Sequence, residues 1–141
     1  MINVILIDSN PDFLVMMRDR LSLLGSKNVH LAGVLASGAD LDAMLSLCHA
    51  DVVAICDNAL DTRSDWTLPP GIFPILYTRK PYPVMRNGVQ LIYVENTAQL
   101  LHKLESIDMI LREYRNETVK SGHTEEEGVI CLSMILQMWL A

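Results

Sequence analysis

The stretch that most constrains this chain is Asp51-Val52-Val53-Ala54-Ile55-Cys56-Asp57. Its five central residues are all apolar and mostly β-branched, a run short enough for a strand and too short for a buried helix. A strand that is apolar at every position must be covered on both faces, as in a parallel sheet between helical layers. The chain opens with the same pattern, Val4-Ile5-Leu6-Ile7 followed by Asp8. Acids just past such strands fall at the carboxyl edge of an open α/β sheet. Asp8 and Asp57 are therefore expected in one pocket, suited to a divalent cation or a phosphoryl group. Taken singly, each also reads as the cap of the turn after its strand.

The segments between these strands are helical. Asn10-Pro11 supplies an N-cap and a proline at the first helical position. Leu14, Met17, Leu21 and Leu24 recur at helical spacing, and Gly25 ends the helix. A second strand is expected over 29–36 and a second helix after Ser37, with Leu41, Met44, Leu45 and Cys48 on its inner side. Right-handed crossovers then make the sheet parallel. Beyond Asp57 the pattern weakens. Pro69, Pro70 and Pro74 leave a loop with at most one helical turn near 58–63. A fourth strand over 72–78 ends on Thr78. Pro81 and Pro83 preclude a long helix before a fifth strand over 89–94.

A long helix is expected over 97–118. Its stripe of Leu100, Leu104, Ile107, Leu111 and Tyr114 steps by four and three, as in a coiled coil. The first half of that stripe packs on the sheet, and the second half is left for a partner. Residues 120–123 read as a hinge. Thr124-Glu125-Glu126-Glu127 has the form of a capping box opening a further helix. From Val129 to Leu140 nearly every residue is apolar, including Ile135, Met138 and Trp139. A helix apolar on all sides must be buried against something. Leu104, Ile107, Leu111, Tyr114, Ile135, Met138 and Trp139 are thus the expected interface of a homodimer. The division is a domain at 1–118, then a hinge and apolar helix at 119–141.

Composition excludes several classes of function. The net charge of −6 argues against direct nucleic-acid binding by this segment. Cys48, Cys56 and Cys131 form no C-x-x-C pattern and read as buried thiols in a reducing compartment, so a cytoplasmic location is expected. No run reaches the ~20 apolar residues of a membrane span. Neither G-x-G-x-x-G nor a P-loop is present, and no nucleophile elbow frames a serine. No enzymatic activity is expected.

Five β/α units with acids after strands one and three resemble the receiver domain of bacterial response regulators, over about residues 2–118. The resemblance implies a flavodoxin-like, doubly wound parallel sheet of order 2-1-3-4-5, here with shortened helices three and four. Asp57 matches the phosphate-accepting aspartate, and Asp8 matches one member of the acidic pair that holds Mg2+. Thr78 matches the hydroxyl residue that senses the phosphoryl group, and Tyr93 the switch aromatic. The chain also departs from the pattern. Ser9 replaces the second acid. Asn96 or Glu95 stands where the family has its lysine. Lys80-Pro81 resembles the family's lysine-proline pair, but after strand four; it reaches the pocket only if that loop folds back. Phosphoryl transfer to such an aspartate rests on charge neutralisation by metal and lysine. With one ligand lost, Asp8 and Asp57 are expected to bind Mg2+ weakly, and no cofactor is certain.

Residues 133–141 resemble the start of a LuxR-type helix-turn-helix domain, and the capping box at Thr124 offers a competing start for that helix. The resemblances imply a regulatory module that dimerises and controls an attached output such as transcription. The alternatives are a working phospho-receiver served by a sensor histidine kinase, and a scaffold domain of a pilus-assembly ATPase.

Overall fold

The computed structural model describes residues 1–86 and 88–121. Strand β1 (Ile2–Ile7) leads through helix α1 (Pro11–Leu24) to β2 (Val29–Leu35). Helix α2 (Leu41–Leu47), preceded by a 3-10 turn at Gly38–Asp40, leads to β3 (Val52–Cys56). A 3-10 segment (Asp57–Thr62) and an irregular loop precede β4 (Phe73–Thr78). Three two-residue strands follow, β5 (Met85–Arg86), β6 (Val89–Gln90) and β7 (Ile92–Tyr93), and then helix α3 (Thr97–Ser121).

The main sheet has the order β2-β1-β3-β4-β7, with every pairing parallel. This is the doubly wound, flavodoxin-like arrangement, with β7 in the place of the expected fifth strand. β1 and β3 run side by side in register, Ile7 opposite Ile55, so Asp8 and Asp57 leave adjacent strands at the same edge.

Local chemistry sets the element ends. The Asn10 side chain accepts from the amides of Asp12 and Phe13, with Pro11 opening the helix. Gly25, at φ +69°, closes it. Two apolar layers flank the sheet. On one face Val4, Leu6, Val52, Ala54 and Tyr77 meet Phe13, Leu14 and Met17 of α1 and Leu100, Leu104, Ile107 and Leu111 of α3. On the other face Ile5, Ile7, Val53 and Ile55 meet Leu41, Ala59 and Leu60, backed by Trp66, Leu68 and Ile72. The loop after β3 thus covers the surface that a longer helix would have covered. Trp66 anchors it, its indole donating to the Leu60 carbonyl at 3.0 Å.

Three expectations are corrected. The fifth strand is not continuous over 89–94. Its first two residues pair antiparallel with β5, and only Ile92 and Tyr93 join the main sheet. The change of partner falls at Leu91, whose amide donates to the Val84 carbonyl at 2.8 Å. Second, Leu104, Ile107 and Leu111, assigned to an interface, are buried in the chain's own core, the first two in line with the first half of the stripe packing on the sheet. Their stripe is wide enough to seat the helix on the sheet and α1. Third, α3 runs on through Ser121, past the expected helix end at 118. The side chain of Tyr114, and Ile135, Met138 and Trp139, lie outside the described residues.

Candidate functional site

Asp8 is the centre of the site and is fully buried. Five donors converge on its carboxylate. Oδ1 accepts from the Asn10 amide at 2.9 Å, the Asn58 side-chain amide at 2.8 Å and Arg79 Nη2 at 3.0 Å. Oδ2 accepts from the Tyr77 hydroxyl at 2.7 Å and from Arg79 Nη1. Arg79 therefore grips Asp8 through both guanidinium arms, the strong fork geometry of an arginine–carboxylate pair. The guanidinium also lies over the Phe13 ring, 4.2 Å from its centroid.

Burial alone would push the Asp8 carboxyl up, but Arg79, Asn58, the Asn10 amide and Tyr77 together hold it below the usual aspartate range. The bond to Asp8 in turn raises Arg79. Burial, with the Asp8 charge behind it, raises the Tyr77 hydroxyl, which stays protonated and donates.

Asp57 begins the 3-10 segment after β3 and is held differently. Lys80 Nζ lies 3.1 Å from its Oδ2, so the loop after β4 does fold back on the pocket. The pair sits at the mouth of the site, with Lys80 half exposed and Asp57 mostly covered. The bond to Asp57 raises the Lys80 ammonium. Thr78, buried at the end of β4, accepts from the Lys80 amide at 3.1 Å and so shapes the turn that presents the lysine. The Cys56 thiol donates to Asp57 Oδ1 at 3.3 Å, and burial pushes its pKa up to about 12.

Ser9, next to Asp8, serves as a fastener. Its hydroxyl donates to the carbonyls of Ala36 and Asn58, and its amide donates to Asn58 Oδ1 at 2.9 Å. Asn58 thereby bridges Ser9 and Asp8. Asn96 caps α3, accepting from the Gln99 amide at 3.0 Å, while Gln99 reaches back to the Glu95 amide at 2.7 Å. Tyr93 is paired with Thr78 in the sheet but largely exposed.

The residues present do not fit a divalent cation at Asp8. A carboxylate offers about four lone-pair sites, and five donors already engage this one. Mg2+ needs free hard oxygens in octahedral array. Each acid is held by a cation of the chain itself, Asp8 by Arg79 and Asp57 by Lys80.

Arg79, Tyr77 and Asn58 escape sequence reasoning. A basic pair after a strand ordinarily faces solvent, and an asparagine in a turn ordinarily serves that turn. Their one shared signal is position, since all three lie at strand ends on the carboxyl edge that carries Asp8.

No family model matches the chain, and no curated protein matches it. Among solved structures, the isolated REC domain of RcsB from Salmonella enterica serovar Typhimurium, in the presence of phosphomimetic BeF3-, is similar at a TM-score of 0.43 and 21% identity. That similarity covers 58% of this chain and 64% of the other, so the match spans less than two thirds of the relative. RcsB from the same organism, bound to promoter rprA, is similar at a TM-score of 0.41 and 21% identity, over 58% of this chain and 72% of the other.

Proposed function

We propose that this chain is a receiver-like regulatory module that acts through protein contacts and dimerisation, controls an attached output such as transcription, and catalyses no reaction of its own. The observation that carries the reading is the Asp8–Arg79 pair. A phospho-receiver needs its acids open to a metal that neutralises the incoming phosphoryl charge. Here Arg79 saturates Asp8, and the neighbouring position holds Ser9. The contact surface assigned to dimerisation is the apolar segment from Val129 to Leu140, since Leu104, Ile107 and Leu111 are taken up by the core. Direct binding to nucleic acid is not part of this function, given the net charge of −6.

One observation favours a second reading. Lys80, 3.1 Å from Asp57, supplies the positive charge that an acyl phosphate there would need, and a sensor histidine kinase would then be the partner. Intact-protein mass spectrometry after incubation with acetyl phosphate and Mg2+ separates the two. The first reading expects unmodified mass. A stable phosphoryl adduct that is absent from Asp57→Asn establishes the second.

A further inference from the structure

We propose that Arg79 is a tethered cation that takes the place of a divalent ion at Asp8, and that removing its charge opens a metal site that the native chain keeps closed. The inference concerns Asp8 and holds whether or not Asp57 accepts a phosphoryl group.

Several observations converge on it. The guanidinium binds both carboxylate oxygens, so it neutralises the whole group and not one lone pair. It is fixed from the other side by the Phe13 ring at 4.2 Å. Its backbone lies two residues past Tyr77, and the Tyr77 hydroxyl meets the same Asp8 oxygen at 2.7 Å. One strand end thus delivers both donors. Because β4 pairs along β3, which pairs along β1, the strand register sets their approach to Asp8. A cation delivered by the backbone is present at every concentration of free metal. A divalent ion competing for Asp8 would have to displace two charge-assisted bonds and leave the guanidinium stranded against an aromatic ring. It would gain only one open carboxylate, because Ser9 offers a hydroxyl already donated elsewhere and Lys80 holds Asp57.

Arg79 also positions its neighbour. With Arg79 on Asp8 and Lys80 on Asp57, two consecutive residues pin the loop after β4 to the ends of β1 and β3. The native loop is therefore closed without metal.

The test uses the full chain and Mn2+ as probe. Free Mn2+ is followed by electron paramagnetic resonance, and thermal unfolding is recorded in EDTA and in Mn2+. The wild-type chain is expected to show no saturable Mn2+ binding at Asp8 and the same Tm in both media. Arg79→Ala should melt lower in EDTA, recover in Mn2+, and show saturable Mn2+ binding where wild type shows none. Asp8→Asn added to Arg79→Ala should abolish that gain. If Arg79→Ala folds only when Mn2+ is present, the proposal is supported. If it folds in neither medium, Arg79→Gln, which keeps an amide donor but no charge, is judged by the same two readings. Wild-type binding as tight as that of the folded variant overturns the proposal, as does a gain that survives Asp8→Asn.

Discussion

The Lys80 ammonium lies 3.1 Å from the Asp57 carboxylate, although the lysine leaves β4 and not β7. Both partners belong to strand ends on the carboxyl edge, and Thr78 bends the chain between them by accepting the Lys80 amide. The lysine end of the pair is half exposed, so losing the pair is expected to cost only the small amount typical of an exposed ion pair. Its electrostatic trace is clear nonetheless. Asp57→Asn should return the raised Lys80 ammonium toward the ordinary lysine range, read by the pH titration of its 15Nζ resonance. An unaltered titration would show that the two groups do not meet in solution.

The buried pair behaves differently. Asp8→Ala removes the acceptor for five donors and strands the Arg79 guanidinium and the Tyr77 hydroxyl. Breaking such a pair costs about 3–5 kcal/mol, so the denaturation midpoint should fall sharply while the m-value holds. A loss no larger than that of a surface substitution would contradict the network.

Acid should destabilise the wild-type chain through the same residue. The native Asp8 pKa lies below the unfolded reference of 3.8. Its stabilisation is then fully present above that reference and is lost as pH falls through the lower native value. In Asp8→Asn the Tm should vary less with pH across this acid range. Equal slopes for the two proteins would assign the acid sensitivity to other carboxylates.

How far the sequence discloses this site depends on the residue. Asp8 and Asp57 stand out because each ends an apolar run whose period and length admit little but a buried strand. The caps at Asn10 and Gly25 are local and equally legible. Arg79 is not, because its role depends on β4 lying beside β3 and on Tyr77 sharing its target, both set by tertiary pairing. Lys80 is legible as a candidate, and its reach is decided by a turn that sequence alone leaves open. The stripe of α3 misleads for a physical reason. Leu104, Ile107 and Leu111 step by three and four whether a helix seats on its own sheet or on a second chain. The split of the fifth strand at Leu91 has no local signal, since residues 89–94, apolar but for Gln90, read as one run.

Those three side chains yield a prediction that separates core from interface. Ile107→Ala should cost roughly 2–5 kcal/mol of unfolding free energy, because it opens a cavity between α3 and the sheet. Sedimentation at matched concentration should leave the association state of the folded protein unchanged. Dissociation without loss of stability would restore the residue to an interface.

The packing of Trp66 over Gly38 gives the last prediction. At Gly38, which opens the 3-10 turn before α2, a Cβ would clash with the Trp66 ring and lie 3.0 Å from Arg63 Cβ. Trp66 is not free to swing away. Its indole is bonded to the Leu60 carbonyl, and the Arg63 guanidinium sits 5.9 Å from its ring centroid while also reaching Asp42 at 3.0 Å. The backbone is constrained as well, since the Gly38 amide donates to the Thr62 hydroxyl at 2.7 Å. Gly38→Ala therefore has to move the loop after β3 off the sheet or shift the start of α2, at a cost of about 1–3 kcal/mol. Because that loop starts at Asp57, the displacement should also carry to the site. The Asn58 amide resonances, which report its bonds to Asp8 and Ser9, should shift in Gly38→Ala and recover when Trp66→Ala relieves the clash. If Gly38→Ala keeps wild-type stability and leaves Asn58 unmoved, the loop does not close over this face as described.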